Sequence, residues 1–257
     1  MNLLFEGIKY QLHAKKRHGI HSPFVYSLSD QGLQTPISKE HKILFKKFDE
    51  KQCQNKDLIK IKDYGAGSKK LSLHRSVKEM HKISSSGKHF GNLLYRISNF
   101  LKPKSILELG TSLGRGTLAL HLGYPEANII SVEGDPKIAS LAKENIQHLA
   151  INPGHISVVE GTFSSFLTQA EPRKFDLIFI DGHHQGEALL GYLDQLKNFS
   201  HEYTAFILDD IRWNQDMLNT WKSLIEDQRF HLSIDFFRMG ILFKRPDQAK
   251  EHFVLKS

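Results

Sequence analysis

The chain has 257 residues, 40% hydrophobic and 25% charged, enough for one sizeable α/β domain with an appendage. One cysteine, Cys53, excludes an internal disulfide and a cysteine-rich metal centre. No apolar run approaches the roughly 20 residues that span a bilayer. The opening MNLLFEGIKYQLHAKKRHG lacks a signal peptide's long apolar segment, so a cytoplasmic protein with no membrane span is expected.

The net charge of +7 is unevenly spread. Residues 1–104 carry 21 Lys and Arg against 8 Asp and Glu, whereas residues 105–257 carry 14 against 20. The first part reads either as a basic arm for an anionic partner or as a solvated helical face docked on an acidic domain.

In chain order, residues 3–17 form an amphipathic helix with Leu4, Ile8 and Leu12 at spacing four. Ser22-Pro23 starts a second helix, as cap and first-turn proline. Residues 39–50 form a third, with Ile43, Leu44 and Phe48 on one side. The stretch Asp63-Tyr64-Gly65-Ala66-Gly67-Ser68-Lys69-Lys70 is a loop by composition. From Lys88, residues Phe90, Leu93, Leu94, Ile97, Phe100 and Leu101 keep a helical rhythm that Pro103 ends.

Strands and helices then alternate: strands at 105–109, 128–133, 155–160, 175–181 and 204–208, with helices at 136–149, 163–169, 185–199 and 214–227. FHLSIDFFRMGILFKR reads as two strands around Phe237–Gly240. The expected fold is therefore α/β: a doubly wound, Rossmann-like, mostly parallel seven-stranded sheet with an antiparallel last strand. Residues 1–83 are a basic, mainly helical extension, a cap or dimerisation element, and 84–257 the main domain.

The stretch ILELGTSLGRGTLAL at 106–120 satisfies three motifs. Gly110 to Gly114 spells G-x-S-x-G, the elbow that exposes a hydrolase serine, with Asp209 and His231 available in the right order for a triad. Gly114 to Ala119 spells a dinucleotide fingerprint, but it begins four residues after the strand. The third pattern is an acidic residue, Glu108, followed by spaced glycines. A pyrophosphate would be repelled by Glu108, whereas a cationic sulfonium cofactor with an amino group tolerates it. Glu133, 23 residues after Gly110, stands at the end of the next strand, where a carboxylate accepts hydrogen bonds from ribose hydroxyls.

The series Glu108 to Gly116, Glu133, Gly161-Thr162-Phe163, FIDGHH at 179–184 and LDD at 208–210 resembles the class I S-adenosylmethionine-dependent methyltransferases. It is most similar to the catechol and caffeoyl-CoA O-methyltransferase-like group, over roughly residues 84–245. The resemblance implies S-adenosyl-L-methionine as cofactor. It would be held by Ser86, Glu108, Gly110, Ser112, Gly114, Gly116, Glu133, Gly134, Gly161, Thr162, Phe163 and Asp181. It also implies Mg²⁺ or another divalent cation on Asp181, Asp209 and Asp210, with Asp210 standing where the group usually has Asn. Three oxygen ligands plus waters and substrate would make a hard octahedral site. The alternative is that Asp209 and Asp210 cap the next helix and Asp181 touches the cofactor or orients a base.

His184 stands where the group has its catalytic lysine, with His183 beside it, and a histidine is a reasonable general base for a hydroxyl. His184, Asp181 and His183 are therefore the candidate catalytic residues. Trp213 either walls the acceptor pocket or packs the following helix. Lowering a phenol pKa by about 3 units is worth roughly 4 kcal/mol for the anionic form, the main work assigned to this cluster.

The sequence thus points to an O-methyltransferase for a small-molecule acceptor, possible also as a homodimer. An RNA methyltransferase using the basic arm as its nucleic-acid partner surface is less favoured. So is a non-catalytic cofactor-binding protein.

Overall fold

In the computed structural model, residues 2–14, 20–60, 74–84 and 87–256 are described. The chain begins with helices α1 (Leu3–His13), α2 (Pro23–Ser27), a π-helical turn (Leu28–Gly32) and α3 (Lys39–Gln54). Strands β1 (Leu58–Lys60) and β2 (His74–Ser76) pair antiparallel, followed by α4 (Val77–Ser84) and α5 (Gly87–Leu101). The loop expected at Asp63–Lys70 lies outside the described residues, as do Lys15, Lys16 and Arg17 of the first expected helix.

From β3 the alternation is regular: β3 (Ser105–Leu109), α6 (Arg115–Gly123), β4 (Asn128–Glu133), α7 (Pro136–Leu149), β5 (Ile156–Glu160), α8 (Phe163–Gln169) and β6 (Phe175–Ile180). It continues through α9 (Gly186–Gln195), β7 (Ser200–Leu208), α10 (Gln215–Glu226), β8 (Leu232–Phe236), β9 (Met239–Phe243) and β10 (Glu251–Val254). The main sheet has the order β10-β8-β9-β7-β6-β3-β4-β5.

Eight strands replace the expected seven. β9 is antiparallel to both neighbours, while β10 pairs parallel with β8, so the antiparallel strand is not the last one. β10 was not foreseen because EHFV is a short edge strand whose alternation of charge and bulk is weak, and its partner register is a tertiary matter.

The apolar strands are buried on both faces because alternate side chains point to opposite sides. Ile106, Leu177, Phe179 and Ile207 enter one core. Leu107, Leu109, Ile178, Ile180 and Leu208 enter the other. The first core also contains Ile20, Val25, Leu28, Leu33, Phe45 and Phe48, so the segment before β1 packs into the same interior as the sheet.

The amphipathic pattern of α1 is present, but its apolar face is not the one that docks. Leu4, Ile8 and Leu12 are 75%, 54% and 78% exposed. The helix meets the fold through Gly7 against Phe237, the Glu6–Arg212 pair at 3.9 Å, and the Tyr10 hydroxyl on the Leu255 carbonyl. Ile43 of α3 is likewise exposed, and the inward face of that helix is Phe45, Phe48 and Gln52. No helix among the described residues is long and apolar enough to cross a membrane.

Candidate active site

Parallel strands end in register, which lines up the residues that follow them. Leu109 aligns with Val132 and Ile180, and Ile180 with Leu208. One row at the carboxyl edge therefore holds Glu133, Gly110, Asp181 and Asp209, with Gly161 one residue beyond Glu160, the partner of Glu133. β3 sits between β4 and β6, the point where the winding of the sheet reverses, and ligands of open α/β sheets bind outside the strand ends there.

The glycine loop is shaped by left-handed backbone. Gly110 has φ +112° and Gly114, the N-cap of α6, φ +89°. A Cβ on Gly110 would overlap the carbonyl oxygen of Asp181, so the loop crosses directly over β6. Ser112 is also left-handed, at φ +48°, and its N–H donates to Glu133 Oε2 at 2.8 Å. The first amides of α6 lack intrahelical acceptors, as at any helix N-terminus.

Glu133 is held from its other side by the Asp135 N–H, which donates to Oε1 at 3.0 Å. Burial raises its pKa, opposed by backbone donors of Asp135, Ser112 and Gly134. The carboxylate is thus fixed in direction before any ligand arrives. The Gly161 N–H donates to the Glu133 carbonyl at 2.9 Å, and Thr162 caps α8 through its hydroxyl. Phe163 packs edge-on against His183 and Tyr192, both at 5.5 Å between ring centres. Ser86 lies outside the described residues.

Glu108 is fully buried below the loop. Thr117 and Ser131 hydroxyls both donate to its Oε2, and Oε1 has no hydrogen-bond partner among the described residues. A Cβ on Gly116 would stand 2.7 Å from that Oε1, which explains the glycine there. Burial pushes the Glu108 carboxyl up to about 7. A carboxyl raised in the fold favours the folded state below its unfolded pKa, near 4.5, and loses that contribution as pH rises through 7. Glu108→Gln keeps an acceptor for both hydroxyls, and its thermal stability should therefore fall less than the wild type's between pH 5 and pH 8, with about 3 kcal/mol at stake. Parallel pH–Tm curves for the two proteins would contradict this.

The serine-hydrolase reading fails on geometry. His231 precedes β8 at the opposite edge of the sheet from Ser112, and its Nδ1 is 2.6 Å from the Lys244 carbonyl.

Beyond the loop, Asp181, His184, Asp209 and Asp210 converge. His184 Nε2 is 3.7 Å from Asp210 Oδ2, and its ring lies 5.1 Å from that of Trp213, which is 57% exposed. Asp210 has φ +51°. Burial lowers the pKa of His184. Burial, then Asp209 and Asp210, raises Asp181 well above the carboxylate range, and burial with Asp209 pushes Asp210 up to about 7. His183 takes a different direction. Its Nδ1 is 2.9 Å from the Tyr192 hydroxyl, inside the ring cluster with Phe163.

The carboxylates do not fit a divalent ion as they stand. Asp209 and Asp210 are both engaged by Arg238, through Nη2 to Asp209 Oδ2 at 2.9 Å and Nε to Asp210 Oδ1 at 2.8 Å. Among the described residues no three potential ligands group as a metal centre. Sequence reasoning passed over Arg238 because it sits in a hairpin turn, 28 residues from the last aspartate, with no motif around it.

The doubly wound sheet, the glycine loop over β6 and the carboxylate ending β4 make a Rossmann-like α/β domain. Residues 107–211 match the family described as methyltransferase domain. The chain is 25% identical over 134 residues to a catechol O-methyltransferase of Mycobacterium tuberculosis, covering 52% of this chain and 59% of that one. Over a shorter stretch of 55 residues it is 47% identical to release factor glutamine methyltransferase of Escherichia coli, covering 21% and 20%. The S-adenosylhomocysteine-bound structure of a Podospora anserina methyltransferase superposes with TM-score 0.58 at 17% identity, over 88% of this chain and 97% of that one. The chain spans 42% of the length of the first curated O-methyltransferases it matches.

Proposed function

We propose that the chain is an S-adenosylmethionine-dependent O-methyltransferase acting on a small hydroxylated acceptor. The observation that carries this reading is the row at the strand ends: a pre-oriented Glu133 and a left-handed glycine loop lie beside a buried acid and histidine cluster. The similarity to a catechol O-methyltransferase supports an oxygen acceptor. When bound, the cofactor supplies a methyl group made electrophilic by its sulfonium.

The chain's own residues do the rest. Glu133 accepts from the ribose hydroxyls, and Gly110 to Gly116 bring backbone amides to the methionine end. The unpartnered Glu108 Oε1 makes the floor of the loop favourable to a cationic amino group. Gly134, Gly161, Thr162 and Phe163 border the adenine side. His184 takes the acceptor proton. Burial of its half-buried ring favours the neutral, proton-accepting form, and Asp210 stabilises the imidazolium once formed. Alignment of acceptor oxygen, methyl and sulfur is the larger contribution, since holding reactants in line removes an entropic barrier. In this reading residues 84–257 are the transferase domain and residues 1–83 a cap on it. Gly7 against Phe237 and the Arg115–Asp49 pair at 2.8 Å tie that cap to the site.

The test is thermal shift with S-adenosylhomocysteine, followed by methyl transfer from labelled S-adenosylmethionine to a panel of phenols, catechols and amines. Absence of a shift overturns the cofactor reading, and a shift with transfer only to nitrogen overturns the O-acceptor. His184→Ala should lower kcat by about a hundredfold while leaving S-adenosylhomocysteine affinity unchanged. The wild-type rate should rise with pH with its midpoint below the ordinary histidine pKa, because burial lowers that of His184.

A further inference from the structure

Asp209 and Asp210 leave β7 together, 1% and 13% exposed, with Asp181 near them at the end of the adjacent strand. Adjacent buried carboxylates need a compensating cation. The chain provides one. Arg238 places Nε 3.1 Å from Asp209 Oδ1 and 2.8 Å from Asp210 Oδ1, with Nη2 2.9 Å from Asp209 Oδ2.

This guanidinium is built in. The turn that carries it is left-handed at Phe237, φ +70°, and is closed by the Arg238 N–H on the Phe236 carbonyl at 2.9 Å. The Arg238 carbonyl accepts from the Ile211 N–H at 2.9 Å, joining the turn to the segment just after the aspartates. Arg212 holds the turn from behind, donating to the Phe237 carbonyl at 2.6 Å and to both oxygens of Asp235 at 2.9 and 2.7 Å. The guanidinium carbon lies 5.1 Å from the centre of the Phe90 ring.

We propose that Arg238 is the resident cation of the acceptor site. It stands where a divalent ion would sit between the aspartates, and its free edge binds the acceptor oxygen. Nε and one N–H of Nη2 are spent on the aspartates, whereas Nη1 has no hydrogen-bond partner among the described residues. The Nη1–Nη2 edge therefore offers two parallel donors of fixed positive charge, suited to one phenolate oxygen or to a carboxylate. A metal chelates two vicinal oxygens at one centre, and this edge does not require them. Methyl transfer is thus metal-independent and accepts monohydroxylated aromatic substrates. The acceptor half of the inference rests on the methyltransferase reading; the occupancy half does not.

The experiment titrates Mn²⁺ into the full chain and follows free Mn²⁺ by electron paramagnetic resonance. Wild type should bind no Mn²⁺ at this site up to millimolar concentrations, and Arg238→Met, with the carboxylates released, should bind at least about tenfold more tightly. Stoichiometric Mn²⁺ binding by wild type that Asp209→Asn removes overturns the proposal, and so does a folded Arg238→Met that gains no affinity. If Arg238→Met does not fold, the wild-type titration decides alone. S-adenosylhomocysteine thermal shift runs in parallel, so failure of the methyltransferase reading appears there and not in the Mn²⁺ signal. For the acceptor half, wild-type turnover should be indifferent to EDTA, and Arg238→Lys should raise the acceptor KM more than it lowers kcat. EDTA-sensitive turnover restored by Mg²⁺ overturns it.

Discussion

Glu133→Ala should weaken S-adenosylhomocysteine binding by about a hundredfold, roughly 3 kcal/mol, read as a lost thermal shift and a raised Kd by calorimetry. Two hydrogen bonds from ribose hydroxyls to a carboxylate account for that size. The wild-type carboxylate is already aimed by the Ser112 and Asp135 N–H groups, so little ordering opposes binding. Glu133→Gln keeps one oxygen acceptor and should lose less than the alanine variant. Because burial raises the pKa of Glu133, wild-type affinity should also fall as pH drops and the carboxyl is protonated. An alanine variant that binds as tightly as wild type would remove Glu133 from the cofactor site.

Gly110→Ala should be the most damaging single methyl in the chain. Two costs coincide. The residue has φ +112°, where a side chain is strained, and the new Cβ would overlap the Asp181 carbonyl of the neighbouring strand end. β3 and β6 are joined there by the Asp181 N–H on the Leu109 carbonyl at 2.8 Å, so the loop cannot move away without breaking that bond. Destabilisation on the order of 3 kcal/mol, or failure to fold, is expected by chemical denaturation. A control is Gly154→Ala, where an added Cβ meets nothing within 4 Å; it should be nearly silent. Equal stability of both variants would contradict the loop geometry.

Much of the fold was readable along the chain. FDLIFID is nearly all apolar because β6 is covered on both faces, with Leu177 and Phe179 in one core and Ile178 and Ile180 in the other. The helix expected over 136–149 is α7, and the structure shows its cap, with Asp135 accepting from the Lys137 and Ile138 N–H groups. Such signals are local, and local hydrogen bonding and side-chain period carry them. The orientation of α1 was not readable. Leu4, Ile8 and Leu12 have the spacing of a buried stripe, yet Glu6, Gly7 and Tyr10 face the fold, because Arg212, Phe237 and the Leu255 carbonyl happen to lie there.

The same division holds in the site. Glu133 ends a strand and Gly110 and Asp181 each follow one, and parallel strands in register bring such residues to one edge, so sequence order was enough to assemble them. By itself the sequence determined the strand–helix alternation, the glycine loop and the carboxylates that could end each strand. It did not determine what those carboxylates face. A hairpin turn held by Arg212 swings Arg238 between Asp209 and Asp210, and only the tertiary structure decided that a guanidinium meets them. The reason is distance along the chain. Period and capping act within a few residues, whereas the neutralisation of a buried charge depends on whichever segment the folded sheet brings within about 3 Å.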